Sequence, residues 1–214
     1  SPSTAMATRE TQDRIINTAL VLFNDFGTKA ISTNRIADEC GVSRGNLHYH
    51  FRTKEEIIQT IFQQIDREME QNWSDDHLHP TMEYMHAMFD RQMKLIWLYR
   101  FFYLELNSLL QNDARLKVLF FDNRSKRIKE VKIFFEAMIQ QGYINLADDP
   151  DTLESLLLTS WLVSDQWPQY LAINEMVLNE ENISKGFDLL LDIFLPYFTP
   201  KAIEENQQVM LKRS

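Results

Sequence analysis

The feature that most limits the fold is the run from Ser32 to Lys54, where two short helical patterns meet at a glycine. Ser32 or Thr33 can cap a helix that carries Ile36, Ala37 and Cys40 on one face, and Gly41 follows where a tight turn needs positive φ. Ser43 caps a second helix, and Thr53-Lys54-Glu55-Glu56 is a capping box that opens the next one, so the helix between them is about two turns long. At about 100° per residue Leu47 and Phe51 share a face and pack inward. The opposite face centres on Tyr49, with Gly45 and Asn46 beside it and His48 and His50 to either side, and nothing on it is acidic. An amide for a base edge, flanked by groups that reach phosphate on both sides, is what a helix seated in a DNA major groove requires.

The rest of the chain also reads as helical. A first helix from about Arg9 to Phe26 presents Ile15, Ala19, Leu22, Phe23 and Phe26, and Gly27 follows as its cap. After Thr53 a long helix carries Ile57, Ile58, Ile61, Phe62, Ile65 and Met69 to about Trp73. Residues 74 to 80 break the pattern, with Pro80 suited to the first turn of a new helix that repeats Met82, Met85, Met88, Phe89, Met93 and Ile96. Trp97 to Leu106 is too apolar for a surface helix, Gln111-Asn112-Asp113 is a turn, and Ala114 to Gln141 is a long helix capped by Gly142. Asp149-Pro150 opens another, stopped near Pro168, and a last major helix spans about Asn182 to Phe198, with one loose turn or more in Lys201 to Ser214. The expectation is an all-α chain of about nine helices, with a three-helix head at 1–54 and a helical body at 55–214.

The formal charge of −9 looks wrong for a DNA binder until it is divided. Residues 1–54 hold seven Lys and Arg against five acids, net +2, and the remainder holds 15 against 26, net −11. A basic head on an acidic body is the asymmetry expected when one end approaches phosphate. The single Cys40 excludes an intrachain disulfide and a cysteine-rich metal site. No apolar run approaches the roughly 18 residues of a membrane span. With no apolar signal core at the N-terminus, the expected location is the cytoplasm, and Ser1 to Ala5 reads as an expression remnant before Met6.

Ile36-Ala37, Gly41-Val42-Ser43, Gly45, Leu47-His48-Tyr49-His50-Phe51 and Lys54-Glu55-Glu56 together resemble the N-terminal signature of the TetR (tetracycline-repressor) family of bacterial transcription regulators. The segments Trp97 to Phe102 and Leu109 to Asp113 resemble one subgroup of that family and bring no ligand with them. The resemblance implies a homodimer whose last two large helices pack as a four-helix bundle. It also implies a pocket in each body for a small-molecule effector that lowers affinity for a double-stranded operator. The family's phosphate contacts fall on His48, Tyr49, His50 and Lys54, a helix N-terminal contact on Thr33, and base-edge contacts on Gly45 and Asn46. Tyrosine is the commoner residue where this chain has His48, whose imidazole can still donate one hydrogen bond. Asn46 can pair bidentately with adenine, and Arg44 reads a guanine or touches phosphate.

Two surpluses extend this reading. Phe89, Trp97, Tyr99, Phe101, Phe102, Tyr103, Phe120 and Phe121 are more rigid bulk than short helices interlock without a gap, which predicts a pocket for an elongated or aromatic effector, with or without an acidic end. Arg100 is the candidate anchor, with Tyr99, Tyr103, Trp97 and Phe89 around it; alternatively Arg100 pairs with an acid such as Glu105. Leu156, Leu157, Trp161, Phe187, Leu191 and Phe194 exceed one core-facing stripe and are expected at a dimer interface, unless they fill the monomer core. His48 and His50 diverge too far to share a metal, His77 and His79 have no third ligand nearby, and neither a metal nor a cofactor is implied. A helical enzyme lacks a convergent nucleophile and base here. A helical interaction module that has lost DNA binding is opposed by the intact polar face of the second helix.

Overall fold

The computed structural model describes residues 2–73, 75–147 and 149–213; the expectations for Ser1 and Ser74 lie outside them. Among the described residues the regular elements are helices: α1 Pro2–Phe26, α2 Thr33–Cys40, α3 Arg44–His50, α4 Lys54–Asn72, α5 Met82–Leu98, α6 Arg100–Leu104, α7 Leu106–Asn112, α8 Ala114–Gln140, α9 Pro150–Ile173, α10 Glu180–Ser184, α11 Gly186–Phe194 and α12 Pro200–Arg213. Short 3-10 turns lie at Asp75–Leu78 and Leu195–Tyr197, and one isolated antiparallel bridge joins Ile144 to Phe198. The all-α expectation holds. The chain divides into two compact units, Ser1–Arg67 with Tyr99–Phe120, and Glu68–Leu98 with Phe121–Ser214.

The first unit takes in more than residues 1–54, because α6 and α7 return to supply its aromatic core. Phe101 meets Phe23 at 5.2 Å between ring centres, and Phe102 stacks on Phe62 at 5.2 Å. The apolar stretch after α5 is not one helix but two short ones, and side chains satisfy the backbone at the first break: Asn24 Oδ1 accepts the Phe101 N–H at 3.1 Å. Gln64 Nε2 donates to the Tyr99 hydroxyl at 2.8 Å, and Gln59 Nε2 to the Asp113 carboxylate at 2.9 Å. Ile15, Ala19, Phe23, Ile36, Leu47 and Ile57 complete a buried core that holds the short α3 by packing rather than by its own propensity.

In the second unit Met82, Met85, Phe89 and Met93 of α5 are buried core. Phe194 of α11 stacks on Phe135 of α8 at 4.2 Å and on Phe89 at 6.1 Å. Three expectations are corrected here. Pro80 lies outside α5, and it is Thr81 whose hydroxyl accepts the Tyr84 N–H at 3.0 Å. The helix begun at Pro150 runs through Pro168 to Ile173. A mid-helix proline gives up one backbone bond and costs about 3 kcal/mol; burial of Pro168 and Leu171 offsets this, and Trp167 Nε1 donates to the carbonyls of Asn182 and Ile183. The expected helix from 182 to 198 is interrupted at Lys185, and the residue that follows has no room for a side chain: a Cβ on Gly186 would lie 2.5 Å from Met93 Sδ and 3.0 Å from Trp167 Cδ1. The C-terminal segment is a full helix, docked through Asn206 Oδ1 on His86 Nε2 at 2.7 Å and through Arg213, which pairs with Asp90 and covers the Phe187 ring at 3.9 Å. Burial holds the His86 imidazole below its ordinary pKa.

Candidate nucleic-acid interface and effector cleft

The interface is built by caps. Ser32 Oγ accepts the Arg35 N–H at 3.1 Å and starts α2; Gly41, at φ 73°, ends it, and the Val42 N–H reaches Ala37 O at 3.1 Å. Arg14 of α1 donates to the Cys40 carbonyl, so the last turn of α2 is held from outside. Ser43 Oγ accepts the Asn46 N–H at 3.0 Å and starts α3, which turns Leu47 and Phe51 into the core. The capping box at Thr53 forms with one change: Thr53 Oγ1 takes the Glu56 N–H at 3.2 Å, whereas Glu56 Oε2 reaches the Arg52 N–H at 2.9 Å.

Five of the eight predicted contact residues are exposed, and Thr33, His50 and Lys54 are half-buried. Thr33 opens α2, half-buried; Asn46 and His48 are exposed; Tyr49 is 80% exposed, its ring edge-on to His50 at 5.3 Å. A Cβ on Gly45 would meet no atom within 4 Å. Nothing inside the protein therefore requires a glycine that costs its helix about 1 kcal/mol, and its bare backbone leaves room for a partner's close approach. Two cations differ from expectation. Arg44 grips the exposed Asp38 carboxylate through Nε at 3.3 Å and Nη2 at 2.9 Å, which holds the Asp38 pKa down. Lys54 Nζ donates to Thr28 O at 2.7 Å and Ile31 O at 3.2 Å, so the ammonium assigned to phosphate already secures the loop between α1 and α2.

That loop has a second holder, absent from the sequence reading. Glu105, between α6 and α7, accepts the Thr28 N–H at 3.0 Å and the Thr28 hydroxyl at 2.6 Å. Thr28 is buried, so Glu105→Ala strands both donors and should destabilise the unit by about 2 kcal/mol in urea unfolding, with Glu105→Gln losing less. An unchanged midpoint for Glu105→Ala would show that water replaces the carboxylate. Arg100, for which Glu105 was the alternative partner, pairs instead with Asp25 at 3.5 Å, and burial lowers its pKa.

The aromatic run does not form the expected pocket. Tyr99, Phe101, Phe102 and Tyr103 are buried in the first unit, and neither they nor Trp97 and Arg100 line the cavities found in the second. Only Phe89 of the predicted set does so. Two cavities of 80 and 70 Å³ share Met88, Gln92, Val131 and Trp161 as walls. The first adds Met69, Asn72, Trp73, Arg91, Leu95, Arg127 and Glu130, and the second adds Phe89, Phe135, Ser160, Ser164 and Leu190. Arg127, whose side chain is 6% exposed, is held between Glu70 and Glu130, while Arg124 grips Asp165 and covers the Trp161 ring at 4.3 Å. Burial pushes the Glu130 pKa up, whereas Lys126 and then Arg127 hold that of Glu70 down. No cluster of three His, Cys, Asp or Glu suited to a metal occurs among the described residues.

The dimer residues are also redistributed. Leu157, Phe187, Leu191 and Phe194 are monomer core, Leu156 is half-buried, and Trp161 walls the cleft. The exposed apolar residues of α9 are Leu158, Leu162, Tyr170 and Ile173, joined on α11 by Leu189. Because α9 is apolar around most of its circumference, hydrophobicity alone does not reveal which stripe faces inward.

A capped helix, a glycine turn and a second helix with a polar, open outer face define a helix-turn-helix DNA-binding protein. Residues 55–205 match the family model described as bacterial transcriptional repressor, TetR, and residues 15–61 match that of bacterial regulatory proteins, tetR family. The chain belongs to the TetR family. A TetR-family transcriptional regulator from Marinobacter aquaeolei is similar with a TM-score of 0.80 at 30% identity, over 95% of this chain and 97% of that one. The transcriptional repressor KstR2 of Mycolicibacterium smegmatis is 31% identical over 61 residues, 28% of this chain and 30% of that protein. The regulator TtgW of Pseudomonas putida is 33% identical over 73 residues, 34% of this chain and 54% of that protein. No described helix is long and apolar enough to cross a membrane.

Proposed function

We propose that the protein is a cytoplasmic, two-fold dimeric repressor that binds an operator through α2 and α3 and leaves it when a small molecule fills the α5–α8–α9 cleft. The observation that carries this reading is the outer face of α3. Asn46, His48 and Tyr49 point to solvent, and Gly45 keeps the approach open. Asn46 reads a base edge, while His48, Tyr49, His50 and the helix start at Thr33 hold phosphates. Arg44 exchanges Asp38 for DNA on binding. Lys54 contributes a positive field while it keeps the loop in place.

Selection of bound duplexes from a random library, followed by titration at several salt concentrations, tests the reading; a near-palindromic site and a steep salt dependence are expected. On that site Asn46→Ala should cost about 1–3 kcal/mol and relax one base position. Equal losses on every sequence would remove Asn46 from direct readout. Dimerisation is supported by the exposed Leu158, Leu162 and Ile173 on the side of α9 opposite its buried stripe of Leu153, Leu157, Pro168 and Leu171.

A further inference from the structure

The polar groups of the cleft leave one kind of chemistry unanswered. Arg91 lies with its guanidinium 5.7 Å from the Tyr84 ring centre and forms no ion pair among the described residues. The Trp161 indole N–H, in the wall common to both cavities, is buried and has no acceptor. Both groups are donors, and one carries a full positive charge. Glu130, the one carboxylate lining the cleft among the described residues, is committed to Arg127, so the lining offers no free anion for a cationic ligand. Beyond Trp161 the walls are mostly apolar, with Phe89, Phe135 and Leu190 beside Ser164 and Ser160, whose hydroxyl already donates to the Leu157 carbonyl. Volumes of 80 and 70 Å³ are small, given that a cavity of about 150 Å³ holds a single benzene ring, so the cleft admits a narrow chain rather than a fused ring system.

We propose that the effector is a slender, unbranched apolar monocarboxylate, with its carboxylate on Arg91 within reach of Trp161 Nε1 and its chain running along Met88 and Val131 toward Phe89, Phe135 and Leu190. The assignment rests on the ligand-released reading above and adds the class of ligand. A guanidinium and an indole N–H both strengthen their bonds when the acceptor is ionised, and the apolar walls exclude competing water. The tail gains about 0.8 kcal/mol for each methylene removed from water, which makes affinity rise with chain length until the cavity is filled.

The test uses the full-length protein without DNA. Trp73 and Trp161 both line the cleft, so their fluorescence reports its filling. Hexanoate, 1-hexanol and hexyltrimethylammonium are titrated separately, each below its micelle concentration. Hexanoate should bind saturably and about ten-fold or more tightly than 1-hexanol, the effect of one charge-assisted contact, and the cation should bind weakest. Arg91→Met should weaken hexanoate by about ten-fold and leave 1-hexanol unchanged. Equal affinity for acid and alcohol, tighter binding of the cation, no saturation by hexanoate, or indifference of hexanoate to Arg91→Met would each overturn the assignment. A protein that takes hexanoate in this pattern yet stays on its operator would instead overturn the ligand-released reading and leave the assignment standing. Release by some other compound, with hexanoate refused, would do the reverse.

Discussion

Replacing Leu158 and Leu162 together by Glu is expected to leave a folded monomer at micromolar concentration and to weaken operator binding by about a hundred-fold or more. The two side chains are 61% and 55% exposed, one turn apart on the side of α9 away from the core, so the substitutions remove little internal contact and cost the fold little. In a two-fold assembly the same residues face their own copies, and four carboxylates then replace a buried apolar patch. A dimer presents two heads to two half-sites, and the second head binds as an intramolecular event; a monomer forfeits that gain. Sedimentation equilibrium and operator titration check this, and a variant that stays dimeric with full affinity would move the interface elsewhere. The contrast is Leu157→Glu, one residue away and buried, which should unfold the second unit instead.

Arg127→Met should destabilise the second unit by about 3–5 kcal/mol at neutral pH. The guanidinium is almost fully enclosed and serves two acids, so its loss strands Glu130 in particular, whose side chain is 17% exposed. Glu70, more than half exposed, keeps Lys126 and loses less. The pH dependence follows from Glu130. Its folded pKa is raised above the ordinary carboxylate value by burial, and Arg127 opposes that rise. A raised carboxyl contributes stability in full below its unfolded value and loses it as pH climbs through the folded one. Without Arg127 the rise grows, so the deficit of Arg127→Met should be largest at alkaline pH and shrink on acidification as Glu130 takes a proton. Urea unfolding across pH 5 to 8 measures this, and a deficit independent of pH would show that Glu130 finds another cation.

The local elements were legible because their causes are local. Ser32, Gly41 and Ser43 set the two helices by capping and by one positive φ, and the spacing of Leu47 and Phe51 then turned Asn46 and Tyr49 outward. These features need only the neighbours along the chain, and the family signature lies in the same residues. The core of the second unit was partly legible too, since Met82, Met85, Phe89 and Met93 repeat at helical spacing and are buried.

What the tertiary structure decided are the choices among apolar residues of equal hydrophobicity. Composition does not say whether Phe101 and Phe102 surround a ligand or a neighbour's ring; Phe23 and Phe62, far away in sequence, decide that they are core. The phase of α9 likewise depends on what packs against it, so Leu157 is inside and Leu158 outside although both are leucine. The same holds for charge. Lys54 on Thr28, Glu105 on Thr28 and Arg127 on Glu70 join residues far apart in sequence, and a polar side chain's partner is whichever group the packed backbone brings within reach. Sequence alone determined the helix-turn-helix and its outward face through caps and periodicity, whereas the cleft of the second unit and the exposed apolar stripe of α9 exist only once the helices have packed.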